Sequence, residues 1–133
     1  RLGLWDEVLV KDNHWKAIRP LLEKTKCRYF FDRLKKLKKS IPVEVEVENI
    51  RELKHLLPGT VRLNRILLDN FSISELKKAV SFIRRYRSKI EIEASGGITL
   101  TNVRSIAKTG VDRISVGALT HSAPALDFSL SIE

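Results

Sequence analysis

Two glycine turns and the charged residues that recur near them hold the groups in this chain best suited to chemistry. In Glu93-Ala-Ser-Gly-Gly-Ile98 and Ser115-Val-Gly-Ala-Leu-Thr-His-Ser122, an alternating apolar segment runs into glycine, and polar residues then open a predicted helix. Backbone N–H groups at such a turn are not shielded by side chains, and a helix start adds positive potential, so each turn suits an anion. A single turn glycine is ordinary; two turns at the ends of neighbouring strands suit one phosphate-bearing ligand. Lys11, His14, Glu46, Glu48, Asp69 and Asn70 also fall where alternating segments end. Cations together with backbone amides suit an anionic substrate. Carboxylates suit a ribose hydroxyl pair, a metal ion or a developing positive charge. Each group also has a plainer reading: Glu44 and Glu48 as solvated or lysine-paired, Asp69 as a helix cap, His14 and His121 as hydrogen-bonded framework. No Ser-His-Asp or Cys-His nucleophile arrangement stands out.

These residues meet only if the elements between them bring strand ends together. Glu7–Val10 reads as a strand. A helical region follows, with Ile18, Leu21 and Leu22 on one face and Phe30, Leu34 and Leu37 on another. Val43-Glu-Val-Glu-Val-Glu48 alternates with period two, which places its valines on one face and its glutamates on the other. Asn49 with Glu52, and Ser72 with Glu75, have capping-box spacing. The first box opens a short helix through Ile50, Leu53 and Leu57 that stops at Pro58-Gly59. The second opens a helix through Leu76, Val80 and Ile83, with Lys77, Lys78, Arg84 and Arg85 outward. Further strands are predicted over Arg65–Leu68, Ile90–Glu93 and Arg113–Val116, and a helix with Val103, Ile106 and Ala107 inward ends at Gly110. The tail, with Leu126, Phe128, Leu130 and Ile132 alternating, fits a short helix or an extended segment.

Such alternation of strand and helix predicts right-handed βαβ units and a parallel sheet. Strands with one charged face favour a barrel over an open sheet covered on both sides. The expected fold is an incomplete (β/α) barrel of TIM-like type. Five strands do not close a barrel that takes about 250 residues, so the N-terminal strands are expected to lie outside this chain.

With 133 residues, 43% apolar and 31% charged, the composition is that of one globular domain. No apolar run approaches the ~20 residues of a bilayer span. Cys27 has no partner for a disulfide, which fits a reducing, cytoplasmic setting and argues against a structural zinc site. The formal charge of +9 is concentrated between Lys16 and Lys39. A solvated helix surface accounts for that stripe better than nucleic acid does, since few aromatics are interleaved for base stacking. The absence of an initiating methionine and of a signal-peptide core suggests an excised piece.

Seven stretches in order, Arg1-Leu-Gly-Leu-Trp-Asp6, Lys11-Asp-Asn-His14, Val43-Glu-Val-Glu-Val47, Leu67-Leu-Asp-Asn70, Glu93-Ala-Ser-Gly-Gly-Ile98, Ser115–Ser122 and Ala125-Leu-Asp-Phe-Ser-Leu130, resemble the C-terminal half of the quinolinate phosphoribosyltransferase family. The resemblance implies an enzyme of NAD biosynthesis. It would convert quinolinate and phosphoribosyl pyrophosphate, with Mg2+, to nicotinate mononucleotide, pyrophosphate and CO2. It implies that Arg1 and Lys11 hold the quinolinate carboxylates, with His14 at the same mouth. Glu46 and Asp69 would contact the ribose hydroxyls and steady the cationic ribosyl centre, with Glu46 preferred over Glu44 and Glu48 on strand register. Ser95, Gly96, Gly97 and Gly117 would cradle the phosphate, with His121 beside them; no residue is assigned to the metal directly. A homodimer or higher oligomer is expected, with no membrane partner. The competing resemblance is to the related pyrophosphorylase-like protein of molybdenum transport, against which the intact Lys11-Asp-Asn-His14 argues. A different class of reading is an inactive barrel fragment that binds a partner through its basic helix.

Overall fold

The computed structural model describes residues 3, 5–11, 13–14, 36, 40–59, 63–86, 89–120 and 125–132. Among these lie β1 (Val8–Val10), β2 (Val43–Val47), α1 (Ile50–Gly59), β3 (Arg65–Asp69), α2 (Ile73–Tyr86), β4 (Glu91–Ser95), α3 (Val103–Ala107) and β5 (Arg113–Ile114). The helices expected between Lys16 and Lys39 fall largely outside the described residues, as do Arg1 and His121.

The five strands form one sheet in the order β1-β2-β3-β4-β5, and every neighbouring pair is parallel. Strand order equal to chain order, with no reversal, is the arc of a (β/α) barrel rather than a doubly wound sheet, which carries a switch point. The period-two pattern assigns the two faces. Val43, Val45, Val47, Ile66, Leu68 and Ile92 are fully buried against the helices. Glu44, Glu46, Arg65, Leu67, Asp69, Glu93 and Ser95 alternate with them and therefore face the inside of the arc.

Each helix supplies an apolar stripe to the same core. Leu53, Leu56 and Leu57 come from α1, Leu76, Ala79, Val80 and Ile83 from α2, and Ile106 from α3. Ala107, expected inward, is exposed, and buried Thr109 takes its place, its hydroxyl donating to the Ile106 carbonyl at 2.7 Å. Both capping boxes form. Asn49 Oδ1 accepts the Glu52 N–H at 2.9 Å, while Glu52 reaches back to the N–H of Glu48 at 3.0 Å. Ser72 Oγ accepts the Glu75 N–H at 3.3 Å, and Glu75 Oε2 accepts the Ser72 N–H at 2.9 Å. The Ser72 hydroxyl, donating to Glu75 Oε2 at 2.6 Å, and then the Ser72 N–H hold the Glu75 carboxyl below its ordinary range. Arg84 does not point freely outward. Its guanidinium donates to the Ile90 carbonyl and to Asp112 Oδ2, both at 2.6 Å, tying the end of α2 to the start of β4 and to the residue before β5.

One expectation changes at the C-terminal end. The last strand is limited to Arg113 and Ile114, because the chain then turns into a single 3-10 turn over Gly117–Leu119. Residues 125–132 have no regular secondary structure, and Leu126, Phe128, Leu130 and Ile132 are all exposed. Among the described residues, no helix is long and apolar enough to cross a membrane.

Candidate functional site

The inner face of the arc is organised around Arg65. Its guanidinium donates to Glu7 at 2.9 and 3.1 Å from Nη1, and to Glu91 at 3.0 and 2.9 Å from Nε and Nη2. Glu44 lies 3.5 Å from Nη1, and Glu93 lies 3.8 Å from Nε. Arg113 reaches Glu91 from the other side at 3.0 Å, and Ser115 Oγ donates to Glu93. These groups come from all five strands or from residues next to them. All but Glu91 form the floor of a trough of about 670 Å³ whose walls include Lys11, Glu46 and Ser95.

The carboxylates around Arg65 are not equivalent. The Arg65 hydrogen bond comes first among the influences that hold Glu91 below the ordinary carboxylate range. Burial pushes Glu44 up to about 7, with the Glu93 charge adding to the effect and Arg65 opposing it. The geometry explains the difference: both sides of the guanidinium fork are already engaged by Glu7 and Glu91. Glu44 Oε1 is buried with no hydrogen-bond partner, and the Glu93 side chain, which interacts with the Glu44 carboxyl, favours a proton on it. A protonated carboxyl there avoids most of the cost of a desolvated charge.

Above the floor stand the residues expected from the sequence. Val10 pairs with Val45, so Lys11 and Glu46, one residue further on, emerge side by side at the ends of β1 and β2. Glu44 sits one inward step lower and is taken up by Arg65. Glu48 lies beyond the end of β2, where it is exposed and its N–H serves the α1 cap. His14 accepts the Lys11 N–H through Nδ1 at 2.9 Å, and its own N–H donates to the Lys11 carbonyl at 3.0 Å. That is the framework arrangement, and it braces the backbone that carries Lys11.

Asp69 and Ser95 are register partners at the ends of β3 and β4. Gly96 and Gly97 follow with φ of +85° and +59°, a conformation that other residues seldom adopt. Space beside Gly97 is open, with nothing within 4 Å of an added Cβ. The Asn102 side chain closes the turn, donating to the Gly97 carbonyl and accepting the Thr99 N–H, each at 2.9 Å. Because α3 has only five residues, little macrodipole stands behind this turn, and its suitability for an anion rests on the glycine backbone. At the second turn, the N–H groups of Leu119 and Thr120 are used internally, on the carbonyls of Val116 and Gly117. Gly117 itself opens that turn.

Arg65, Glu7, Glu93, Arg113 and Ser115 were not among the residues singled out from the sequence. Strand parity contained the signal: positions 65, 67 and 69 share a face, as do 91, 93 and 95. A depression of about 640 Å³ on the outer side, lined by α1 residues and Glu75, gathers no comparable set of groups.

A parallel arc with a cation, carboxylates and glycine turns at the C-terminal ends of its strands defines the class: a (β/α)-barrel domain, with these groups at the end where such barrels build their sites. Residues 1–131 match the family described as quinolinate phosphoribosyl transferase, C-terminal domain, and the chain belongs to that family. Over its full length it is 42% identical to a chloroplastic nicotinate-nucleotide pyrophosphorylase [carboxylating] of Oryza sativa subsp. japonica, covering 38% of that protein. A Mycobacterium leprae protein of the same name is 36% identical, with 99% of this chain and 44% of the relative covered. Among solved structures, the nicotinate-nucleotide pyrophosphorylase of Ehrlichia chaffeensis superposes with a TM-score of 0.73 at 39% identity, over 92% of this chain and 40% of that one. The Francisella tularensis enzyme gives 0.71 at 38%, over 96% and 41%. The chain thus spans about 40% of the length of its relatives.

Proposed function

We propose that the protein to which this chain contributes the C-terminal part of the barrel domain transfers phosphoribose from phosphoribosyl pyrophosphate to quinolinate. The products are nicotinate mononucleotide, pyrophosphate and CO2. The observation that carries the proposal is the convergence of Lys11, Glu46 and Ser95 on one trough, with Asp69 and the Gly96-Gly97 turn following on the same strand ends.

In this reading Lys11, with Arg1, holds the carboxylates of quinolinate, since two anionic groups on one ring need at least two fixed cations. Glu46 and Asp69 receive the ribose hydroxyls and stabilise the positive charge that develops at the ribosyl carbon as pyrophosphate leaves. The quinolinate nitrogen bonds to that carbon as its bond to pyrophosphate breaks; loss of CO2 then leaves an electron pair on the ring carbon beside the nitrogen, stabilised by the positive charge there, and a proton from water completes the product. Ser95, Gly96, Gly97 and Gly117 hold the 5-phosphate, with His121 beside it. The described residues include no cluster of three metal-binding side chains. Magnesium would be carried in on the diphosphate, where it usually keeps phosphate and water ligands and needs one or two carboxylates; Asp69, at the rim, would be one. A cytoplasmic, homo-oligomeric enzyme completes the proposal.

The test is calorimetric titration of the full-length protein with quinolinate and with magnesium phosphoribosyl pyrophosphate. Both should bind. Lys11→Ala should weaken quinolinate at least tenfold more than the phosphoribosyl donor, whereas equal losses would show that Lys11 has been given the wrong role. Retained donor binding with no quinolinate binding would remove the assignment of the acid.

A further inference from the structure

Asn70, at the rim of the trough, enters the geometry in four ways. It is the described non-glycine residue with positive φ, at +56°. Its N–H donates to the Ser95 carbonyl at 2.9 Å, which stitches the end of β3 to the end of β4. Its side-chain Nδ2 donates to Asp69 Oδ2 at 2.8 Å, the orientation an acceptor-only carboxylate requires. The Asn70 amide also fills the space where a side chain on residue 96 would begin: a Cβ there would lie 2.5 Å from Asn70 Cγ and 2.8 Å from its backbone N. Gly96 is therefore needed to admit Asn70, as well as to give the turn its φ.

We infer that Asn70 is the positioning residue that couples Asp69 to the Ser95-Gly96-Gly97 turn, so that the ribose and phosphate groups of one ligand meet a single preset unit. This rests on the phosphoribosyl reading above. Asparagine suits the position on two counts. It tolerates the left-handed conformation better than most residues, and its amide can donate to a carboxylate while its oxygen packs under the neighbouring turn. A residue that merely shaped the backbone would be replaceable by glycine, which adopts the same φ without strain. A residue that aims Asp69 would not.

The experiment is the dissociation constant of magnesium phosphoribosyl pyrophosphate, measured calorimetrically on the full-length protein and its Asn70→Gly, Asp69→Asn and Asp69→Asn/Asn70→Gly variants. Asn70→Gly should weaken binding by about 10–100-fold, the usual cost of losing a residue that orients a ligand-contacting group. In the Asp69→Asn background the same change should cost less than about twofold, because the group being aimed is already altered. Wild-type affinity in Asn70→Gly would overturn the inference, as would an undiminished loss in the double variant. Asn70→Asp keeps the shape and the left-handed tolerance but turns a carboxylate toward Asp69. It should also bind at least tenfold more weakly, and wild-type affinity would count against the inference in the same way. If the wild-type protein fails to bind the donor, the phosphoribosyl reading falls; if it binds and the variants match it, the Asn70 inference alone falls.

Discussion

Replacing Glu44 by glutamine should make the protein more stable above neutral pH and change it little in mild acid. Glu44 is buried at the floor of the trough, 3.5 Å from an Arg65 guanidinium whose closer contacts, at 2.9 Å, go to Glu7 and Glu91. Its carboxyl is raised from an ordinary 4.5 to about 7, first by burial and then by the charge of Glu93. A raised acid binds its proton more tightly in the folded than in the unfolded chain. Its favourable contribution is complete below the unfolded value and is lost as pH climbs through the folded one. At ~1.4 kcal/mol per pH unit the full displacement corresponds to roughly 3 kcal/mol, and water entering from the open side of the trough reduces this to about 2 kcal/mol. Glutamine has the same shape, keeps an oxygen toward Arg65 and can donate to Glu93, but it does not titrate. The stability of Glu44→Gln relative to wild type should therefore rise by about 2 kcal/mol between pH 5 and pH 8. Urea unfolding of the full-length protein at several pH values measures this, provided the slope with denaturant is unchanged. A constant difference across that range, or one that favours wild type more strongly as pH rises, would show that Glu44 is an ionised partner of Arg65 rather than the carboxyl that keeps its proton.

Two further outcomes concern the scaffold. Leu53→Ala removes a fully buried side chain from the face of α1 that packs on the sheet, and urea unfolding should show a loss of about 2–5 kcal/mol; a loss below ~1 kcal/mol would mean that α1 is not seated on this core. Ser72→Ala removes the hydroxyl that accepts the Glu75 N–H and donates to its carboxylate. It should cost about 1 kcal/mol, with Ser72→Thr, which keeps both the acceptor and the donor, restoring most of it.

The linear pattern of the chain was enough for the parts of the fold governed by local rules. Val43 to Glu48 could only be a strand with two unlike faces, because period-two alternation puts successive side chains on opposite sides of a pleated sheet. Asn49 with Glu52 and Ser72 with Glu75 marked helix starts, because a cap and its reciprocal bond span three or four residues. The glycine turns and the ordered stretches that match one family were equally legible, and with them Lys11, Glu46, Asp69, Ser95 and Gly96 as candidates. Arg65 looked in sequence like the first residue of an ordinary strand, and its meeting with Glu7, Glu44, Glu91 and Glu93 spans up to 58 residues of chain. Whether a glutamate on an alternating strand is solvated, paired or protonated depends on which neighbours the sheet register sets beside it, and that is a tertiary quantity. The left-handed turn at Asn70 and the need for glycine at 96 depend on each other across two strands. Short-range chemistry therefore decided which elements form and which way they face; the distances between charges, and so which groups are ionised and which are held in place, were decided only when the five strands came into register.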